Sequence, residues 1–291
     1  METVSYADIF DYPLALGELH RYLIRVAAPF DRLVATLRRS PRLGRWLGQS
    51  GHYVTLAGRE AIVAIRRRRE EQATRLWPKA LHYGRAMASL PFVRMVAVTG
   101  ALAMDNTESD ADIDYLVVAR PGRVWTCRAF VTAQARFAAR RGHHLCPNYV
   151  LSEDTLAQPE RNVYVAHELA QMVPVSGLPI YERMRAANPW VAEFLPNATG
   201  LPRSTTVAEP TRLAWAAMAE STLSTKLGVA IDRRLQRWQV ARLRRKIERK
   251  ELGDLEITFA PETFKGHYDG HGQRILRQLA DRLQAVERTA P

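Results

Sequence analysis

The chain is poor in cysteine and in acidic residues, and it contains no long apolar run. Its 291 residues include two cysteines, Cys127 and Cys146, which are too few for a disulfide framework and lack the spacing of metal ligands. No stretch approaches the ~18 consecutive apolar residues of a membrane-spanning helix, and residues 1–5 lack the basic start of a signal peptide. We therefore expect a cytoplasmic protein with no membrane partner.

Acidic residues are outnumbered by basic ones: 30 Asp+Glu stand against 42 Lys+Arg, for a net charge of +12. A surface of this charge attracts polyanions such as nucleic acids and nucleotides. Residues 233–250 alone hold nine basic residues and one acid. Because such a run is also typical of a solvated helix face, the basic surface allows a nucleic acid partner without requiring one.

Changes of pattern divide the chain into four parts. Residues 1–62 contain three short helical patterns followed by a glycine-flanked hairpin at 48–58, which is typical of a winged-helix-like domain. Residues 63–90 predict a connecting helix, whose arginine run at 66–69 we expect to be solvated. Residues 91–158 alternate between strand and helix patterns, and residues 159–291 are mainly helical. The predicted fold class is therefore α+β, with a small mixed sheet between two flanking units.

Two aspartates, Asp112 and Asp114, open the second of three predicted strands. With a side-chain period of two they share one face, roughly 6.8 Å apart along the strand, whereas Ile113 and Tyr115 point into the core. Two like charges beside an apolar run repel each other, and a divalent cation removes that cost. Mg²⁺ prefers such carboxylate oxygens and keeps coordination positions for waters and substrate phosphates.

Gly100 ends the preceding predicted strand, at residues 92–99. A glycine in this place lets phosphate oxygens approach the backbone, because no Cβ intervenes. If a helix begins there, its first N–H groups face that phosphate. Gly100 and the two aspartates would then hold both ends of a metal-bound triphosphate, as two-metal phosphoryl transfer requires.

These residues resemble the signature of the DNA polymerase beta-like nucleotidyltransferase superfamily, in which a strand ends in Gly-Ser or Gly-Gly and the next strand carries Asp-x-Asp. Here Gly100-Ala101 is followed by ten residues and then by Asp112-Ile113-Asp114. The resemblance covers residues 92–152, and a winged-helix-like segment before such a core is similar to stand-alone bacterial nucleotidyltransferase-domain proteins.

The resemblance implies that residues 91–158 form a nucleotidyltransferase core dependent on Mg²⁺ or Mn²⁺. Such an enzyme moves a nucleoside monophosphate from a nucleoside triphosphate (NTP) to an acceptor, which is RNA, a protein or a small molecule, and releases pyrophosphate. Asp112 and Asp114 would be its catalytic and metal-binding residues, and Gly100 would contact the triphosphate.

Two departures from the family pattern concern the phosphate contact and the third carboxylate. Ala101 stands where the family has Ser or a second Gly, and Thr99 is the nearest hydroxyl. On the third predicted strand, at residues 144–151, Asn148 stands where the family has a carboxylate, and an amide cannot accept a proton at neutral pH. Glu153 and Asp154, just beyond that strand, are the nearest acids in the sequence.

Two other functions remain open. A catalytically degenerate regulator would bind nucleotide through the same core and DNA through the winged-helix-like unit; Ala101 and Asn148 favour it, and the intact aspartates oppose it. A nucleotide-sugar glycosyltransferase would use Asp112-Ile113-Asp114 as its metal motif, which the upstream Gly100 makes less suitable.

Two further groups of residues are candidates for minor roles. His267, Asp269 and His271 alternate in a way that could bind a metal on an extended segment, but no fourth ligand lies nearby. Glu168, on a predicted helix at 161–172, either lines the site or lies on the surface, and the surface is the simpler interpretation.

Overall fold

The computed structural model describes residues 1–109, 111–204, 207–209, 213–249, 255–268 and 271–288. Within these ranges the chain is a mixed α and β protein with two sheets, of which the larger is mixed, in agreement with the predicted α+β class. None of the helices in these ranges is long and apolar enough to cross a membrane.

The N-terminal unit combines short helices with a small antiparallel sheet. Its elements are α1 (Glu2–Asp8), β1 (Leu14–Ala15), α2 (Leu16–Arg21), α3 (Phe30–Arg39), α4 (Pro41–Gly44), β2 (Leu47–Ser50) and β3 (Tyr53–Leu56). The strand order is β1-β3-β2. Val4 of α1, Leu14 and Val54 are buried in a common core, so α1 packs onto the small sheet.

A single helix, α5 (Ile62–Ala88), leads from this unit to the larger sheet. The expectation that its arginine run is solvated is wrong for the first member of the run. The side chain of Arg66 is 4% exposed and forms ion pairs with Glu18 at 2.9 Å and Glu70 at 2.6 Å, whereas the next two arginines are exposed. Arg66 therefore ties α5 to α2.

The larger sheet has the strand order β7-β4-β5-β6-β9-β8. Its strands are β4 (Val93–Val98), β5 (Ile113–Ala119), β6 (Leu145–Ser152), β7 (Val173–Ser176), β8 (Leu255–Ala260) and β9 (Thr263–Tyr268). The accompanying helices are α6 (Gly100–Ala103), α7 (Val124–Ala139), α8 (Val163–Gln171), α9 (Leu178–Ala186), α10 (Val191–Phe194), α11 (Ala214–Leu223), α12 (Lys226–Glu248) and α13 (His271–Arg288). Strands β5 and β6 are parallel and joined by α7, and the other neighbouring pairs are antiparallel.

The three strands predicted between residues 92 and 151 are confirmed as β4, β5 and β6, but the region expected to be mainly helical adds three more. Strand β7 is four residues long and contains Pro174, which is tolerated because β7 lies at an edge of the sheet. Strands β8 and β9 form a hairpin that pairs with β6 on the other side. The sheet thus extends beyond the predicted core at 91–158 in both directions.

Both faces of the larger sheet are covered, and alternate residues of β5 belong to different faces. Tyr115 and Val117 pack with α5 and α7, as predicted for the core-facing positions. Leu116 and Val118 pack on the opposite face with α8, α9 and the N-terminal unit. Because side chains alternate along a strand, Asp114 shares the face of Leu116 and points toward α8.

The basic stretch at 233–250 lies mostly on α12, which packs against α7. Asp232 accepts two hydrogen bonds of 2.7 Å from the N–H and hydroxyl of Thr126, and Gln239 donates to the Trp125 carbonyl at 2.9 Å. The opposite side of α12 carries the exposed arginines Arg233, Arg234, Arg237, Arg242, Arg244 and Arg245. Binding of nucleic acid to this surface stays a prediction.

Candidate functional site

The end of β4 and the start of β5 lie side by side and bring Gly100 to Asp114. The two strands are antiparallel, with Val98 opposite Tyr115. One step further, the Thr99 N–H donates to the Asp114 carbonyl at 3.0 Å. The chain between β4 and β5 therefore returns to the same point, and the two halves of the predicted motif lie next to each other.

Gly100 adopts a backbone conformation that favours glycine, at a position with little room for a side chain. Its φ is +65°, in the left-handed region that L-residues with a Cβ avoid. A Cβ at this position would lie 2.5 Å from Oδ2 of Asp114, well inside van der Waals contact. The glycine thus leaves room for one oxygen of the aspartate, which faces the backbone at the start of α6.

The other oxygen of Asp114 is held by β6. The Asn148 side-chain amide donates to Oδ1 of Asp114 at 3.0 Å. Burial, followed by the charges of Glu168 and Asp112, raises the pKa of Asp114 from 3.8 to about 7, while a hydrogen bond from the Cys146 thiol opposes the rise. Burial also raises the pKa of Cys146 to about 12, so this thiol keeps its proton and stays a donor at neutral pH.

Asp112 precedes β5 and is exposed, whereas Asp114 is half-buried. The two carboxylates nevertheless line one cavity, whose volume is about 660 Å³. The same cavity is lined by all six residues that the sequence singled out, namely Thr99, Gly100, Ala101, Asp112, Asp114 and Asn148. The structure therefore brings together the complete set of predicted site residues.

Glu168 of α8 supplies a third carboxyl group to this cavity, and the expectation of a surface position for it is wrong. The helix begins at Asn162, whose side chain accepts a hydrogen bond from the Val165 N–H at 2.9 Å. Burial raises the pKa of Glu168 from 4.5 to about 7, and the nearby Lys265 ammonium opposes the rise. By contrast, Glu153 and Asp154 are not among the described residues that line the cavity.

Aromatic residues, most of them from the N-terminal unit, also line the cavity. Tyr6, Phe10, Tyr12 and Tyr22 contribute from that unit, and Tyr164 contributes from α8. No sequence pattern connects the rings of the N-terminal unit with the aspartates, which lie about a hundred residues away along the chain. Only the packing of α1 against the sheet places them on the same cavity.

His167, next to Glu168, is part of this aromatic lining. Its ring stacks on Tyr6, with 4.0 Å between the ring centroids, and its Nδ1 donates to the Val163 carbonyl at 2.8 Å. Burial lowers the pKa of His167 to about 4. The imidazole is therefore neutral at physiological pH and adds no positive charge to the cavity.

The acidic side chains suit a hard cation only if the substrate supplies further ligands. Within the described ranges, no three His, Cys, Asp or Glu side chains lie close enough together to hold a metal ion by themselves. The alternating His267, Asp269 and His271 cannot be assessed as a group, since Asp269 lies outside the described residues. Asp112 and Asp114 contribute two carboxylates to the cavity, and carboxylate oxygens are the type of ligand that Mg²⁺ prefers.

Comparison of the chain with protein families, with curated proteins and with solved structures found no match.

Proposed function

We propose that this protein is a Mg²⁺-dependent nucleotidyltransferase with a polymerase beta-like core. The observation that carries the proposal is that Oδ2 of Asp114 lies 2.5 Å from the place that a Cβ would take on Gly100, at the cavity that Asp112 also lines. The antiparallel pair of β4 and β5 supports the core, because it puts the end of one strand beside the acids of the next. Residues 1–56, with their three-stranded sheet, support a winged-helix-like unit.

The carboxylates of Asp112 and Asp114 would hold the metal. Asn148 occupies Oδ1 of Asp114, which leaves Oδ2, beside Gly100, as the ligand oxygen. Bound there, Mg²⁺ would neutralise the triphosphate and offset the repulsion between the two acids. The backbone N–H groups of Gly100 and Ala101 have no intrahelical acceptor because they open α6, so they are available to phosphate oxygens.

In this proposal Glu168 is the general base, which accepts the proton of the attacking hydroxyl group. An acceptor hydroxyl attacks the α-phosphorus of the NTP, its O–P bond forms, and the bond to the leaving pyrophosphate breaks. The hydroxyl proton passes to the Glu168 carboxylate, which lines the same cavity as both aspartates. A carboxyl group whose pKa lies near 7 is well matched to this role at neutral pH. Asn148 then orients Asp114 and does not itself accept the proton.

The test begins with binding of an NTP in the presence of Mg²⁺, measured by calorimetry for each of the four common nucleotides. Wild-type protein is expected to bind at least one of them, and chelation of Mg²⁺ or the double change Asp112→Asn/Asp114→Asn is expected to abolish binding. Asp154→Asn is the matched control, since Asp154 is an exposed aspartate beyond β6. Absence of Mg²⁺-dependent binding to all four would refute the proposal.

Catalysis is tested separately with each NTP labelled at the α-phosphate. Release of pyrophosphate and transfer of label are measured with RNA, protein and small-molecule acceptors. Loss of transfer in the double variant, with no loss in Asp154→Asn, is the result expected of an enzyme. Binding without transfer to any of the acceptors would favour the nucleotide-sensing regulator.

One observation favours this regulator as a second candidate. Helix α3 of the N-terminal unit presents Arg32, Arg38 and Arg39 to solvent, as a helix that contacts DNA phosphates would. Retardation of duplex DNA that increases as the salt concentration falls, and that Arg32→Ala/Arg38→Ala abolishes, would support the regulator. Unchanged retardation in that variant would oppose it.

A further inference from the structure

Ion pairs and hydrogen bonds tie the N-terminal unit to the segments that surround the cavity. Asp8, at the end of α1, is buried and accepts from Arg59 at 2.8 Å and from Arg282 of α13 at 3.1 Å. The backbone carbonyl of Phe10 accepts from Arg69 of α5 at 3.0 Å and from Asn106 at 3.1 Å. Asn106 itself lies between the glycine and the aspartates of the proposed metal site.

With these contacts, α1 and Phe10 line the cavity before any ligand binds. Tyr6 is 5% exposed and stacks on His167 of α8, so α1 and α8 are in direct contact beside the cavity. A wall that is fixed before binding loses little conformational entropy when a ligand arrives. The N-terminal unit is therefore built into the site.

The cavity combines two kinds of lining side chain. The carboxyl groups of Asp112, Asp114 and Glu168 line it together with the aromatic rings of the N-terminal unit and α8. Arg274 is the one arginine, and no lysine accompanies it, among the described residues that line the cavity. In the proposed function this cavity already holds the triphosphate as well as these carboxyl groups, so an acceptor without phosphate adds no further negative charge to it.

The size of the cavity is also informative. Its volume of about 660 Å³ falls within the range of roughly 300–1,000 Å³ typical of small-molecule sites. Aromatic walls favour a flat ring, which stacks or packs edge to face against them. Tyr164 lies four residues, or about one helical turn, before Glu168 on α8, so a ring bound against it places its substituents near that carboxyl group.

We propose that the aromatic side chains that line the cavity form the acceptor subsite, and that this subsite takes a small aryl alcohol without phosphate. The ring packs between Tyr6 and Phe10 of the N-terminal unit and Tyr164 of α8, and the hydroxyl group faces Glu168. The assignment of the ring to the acceptor rests on the proposed nucleotidyltransferase function. The existence of the aromatic subsite does not depend on it.

The subsite is tested with 2-phenylethanol and 2-cyclohexylethanol as a matched pair of probes, titrated into the full-length protein by ligand-observed NMR. Stacking contacts of about 0.5–1.5 kcal/mol correspond to a 2- to 13-fold preference for the planar ring. Phe10→Leu and Tyr6→Leu are expected to weaken 2-phenylethanol binding by a similar factor, and Phe137→Leu, at an exposed site on α7, to leave it unchanged.

Melting curves check that each variant is folded, and Phe10, which is only partly buried, provides the result if Tyr6→Leu does not fold. Equal binding of both probes, or binding that neither variant weakens, would overturn the subsite. Asp114→Asn is expected to abolish Mg²⁺–ATP binding and to retain 2-phenylethanol. If wild-type protein binds 2-phenylethanol but no Mg²⁺–NTP, the subsite stands and the nucleotidyltransferase proposal fails.

Two further results separate the acceptor from other ligands. If Phe10→Leu weakens ATP binding but not tripolyphosphate binding, the ring is the donor's nucleobase, and the acceptor assignment is overturned. If a short single-stranded RNA displaces 2-phenylethanol from wild-type protein, the cavity takes a polynucleotide. Unchanged ATP affinity in the variant, with no displacement by RNA, supports the small acceptor.

Discussion

Replacing Asp114 by Asn is expected to stabilise the metal-free protein at high pH. Burial and the charges of Glu168 and Asp112 raise the pKa of Asp114 from 3.8 to about 7, so its ionised form is disfavoured in the folded state. Asn has the same shape, and its carbonyl oxygen can still accept the hydrogen bond from Asn148. The substitution removes the buried charge and keeps the local geometry.

The size of the effect follows from the pKa change. At about 1.36 kcal/mol for each pKa unit, ionising Asp114 costs the folded protein up to ~4 kcal/mol once the pH exceeds 7. Between pH 3.8 and about 7 the unfolded chain loses this proton while the folded protein keeps it. Wild-type stability therefore falls as the pH rises through this window. We expect the advantage of Asp114→Asn to be ~2–3 kcal/mol larger at pH 8 than at pH 5.

The assay is urea denaturation in the presence of a chelator at pH 5, 6.5 and 8, followed by tryptophan fluorescence. Asp154→Asn is the control and is expected to change the free energy of unfolding by less than about 0.5 kcal/mol at each pH. Added Mg²⁺ at pH 8 should stabilise the wild-type protein more than Asp114→Asn. A variant that is less stable than wild type at pH 8, or a difference that does not vary with pH, would refute the reasoning.

Three other substitutions test the site and its support. Gly100→Ala should lower the free energy of unfolding by about 1–2 kcal/mol and should abolish Mg²⁺–NTP binding, because the new Cβ of residue 100 meets Asp114. Gly51 has a similar φ of +63° with open space around it. Gly51→Ala should therefore have the same cost in chemical denaturation without affecting binding. Glu168→Gln should lower kcat about 100-fold or more without raising KM; an unchanged kcat would exclude Glu168 as the base. Arg66→Met should lower the free energy of unfolding by about 3 kcal/mol, because Glu18 and Glu70 lose their ion-pair partner. Arg67→Met, at an exposed site, should change it by less than about 0.5 kcal/mol. Equal effects of the two variants in thermal melts would contradict the ion-pair assignment.

The central strands and the six site residues could be predicted because their signals are local. Strands β4, β5 and β6 are short apolar runs bounded by glycine, proline or charged residues, and their order in the chain matches their neighbourhood in the sheet. The positions of Gly100, Asp112 and Asp114 follow from an antiparallel pair joined by a short loop. Strand β7 escaped prediction because four residues are too few to show a period and its proline is unusual in a strand.

Glu168 could have been recognised by one local signal. It lies within Val163–Gln171, whose residues are otherwise nearly all apolar, and an acid in such a helix is either buried or at the edge of the apolar face. The sequence alone cannot choose between these positions, because the choice depends on what covers the helix. In the structure α8 is covered by α1, α10 and α13, and Glu168 is half-buried and lines the cavity.

The sequence by itself determined the pair of aspartates, the glycine that makes room for one of them, and the mixed α and β architecture. These depend on side-chain periodicity and backbone conformation, which act over a few residues. Only the tertiary structure decided that Glu168 lines the same cavity as the two aspartates and that aromatic rings of α1 line it too. Those outcomes depend on burial between distant segments, such as the Asp8–Arg282 pair across 274 positions of the chain, and no local pattern encodes which apolar faces will meet.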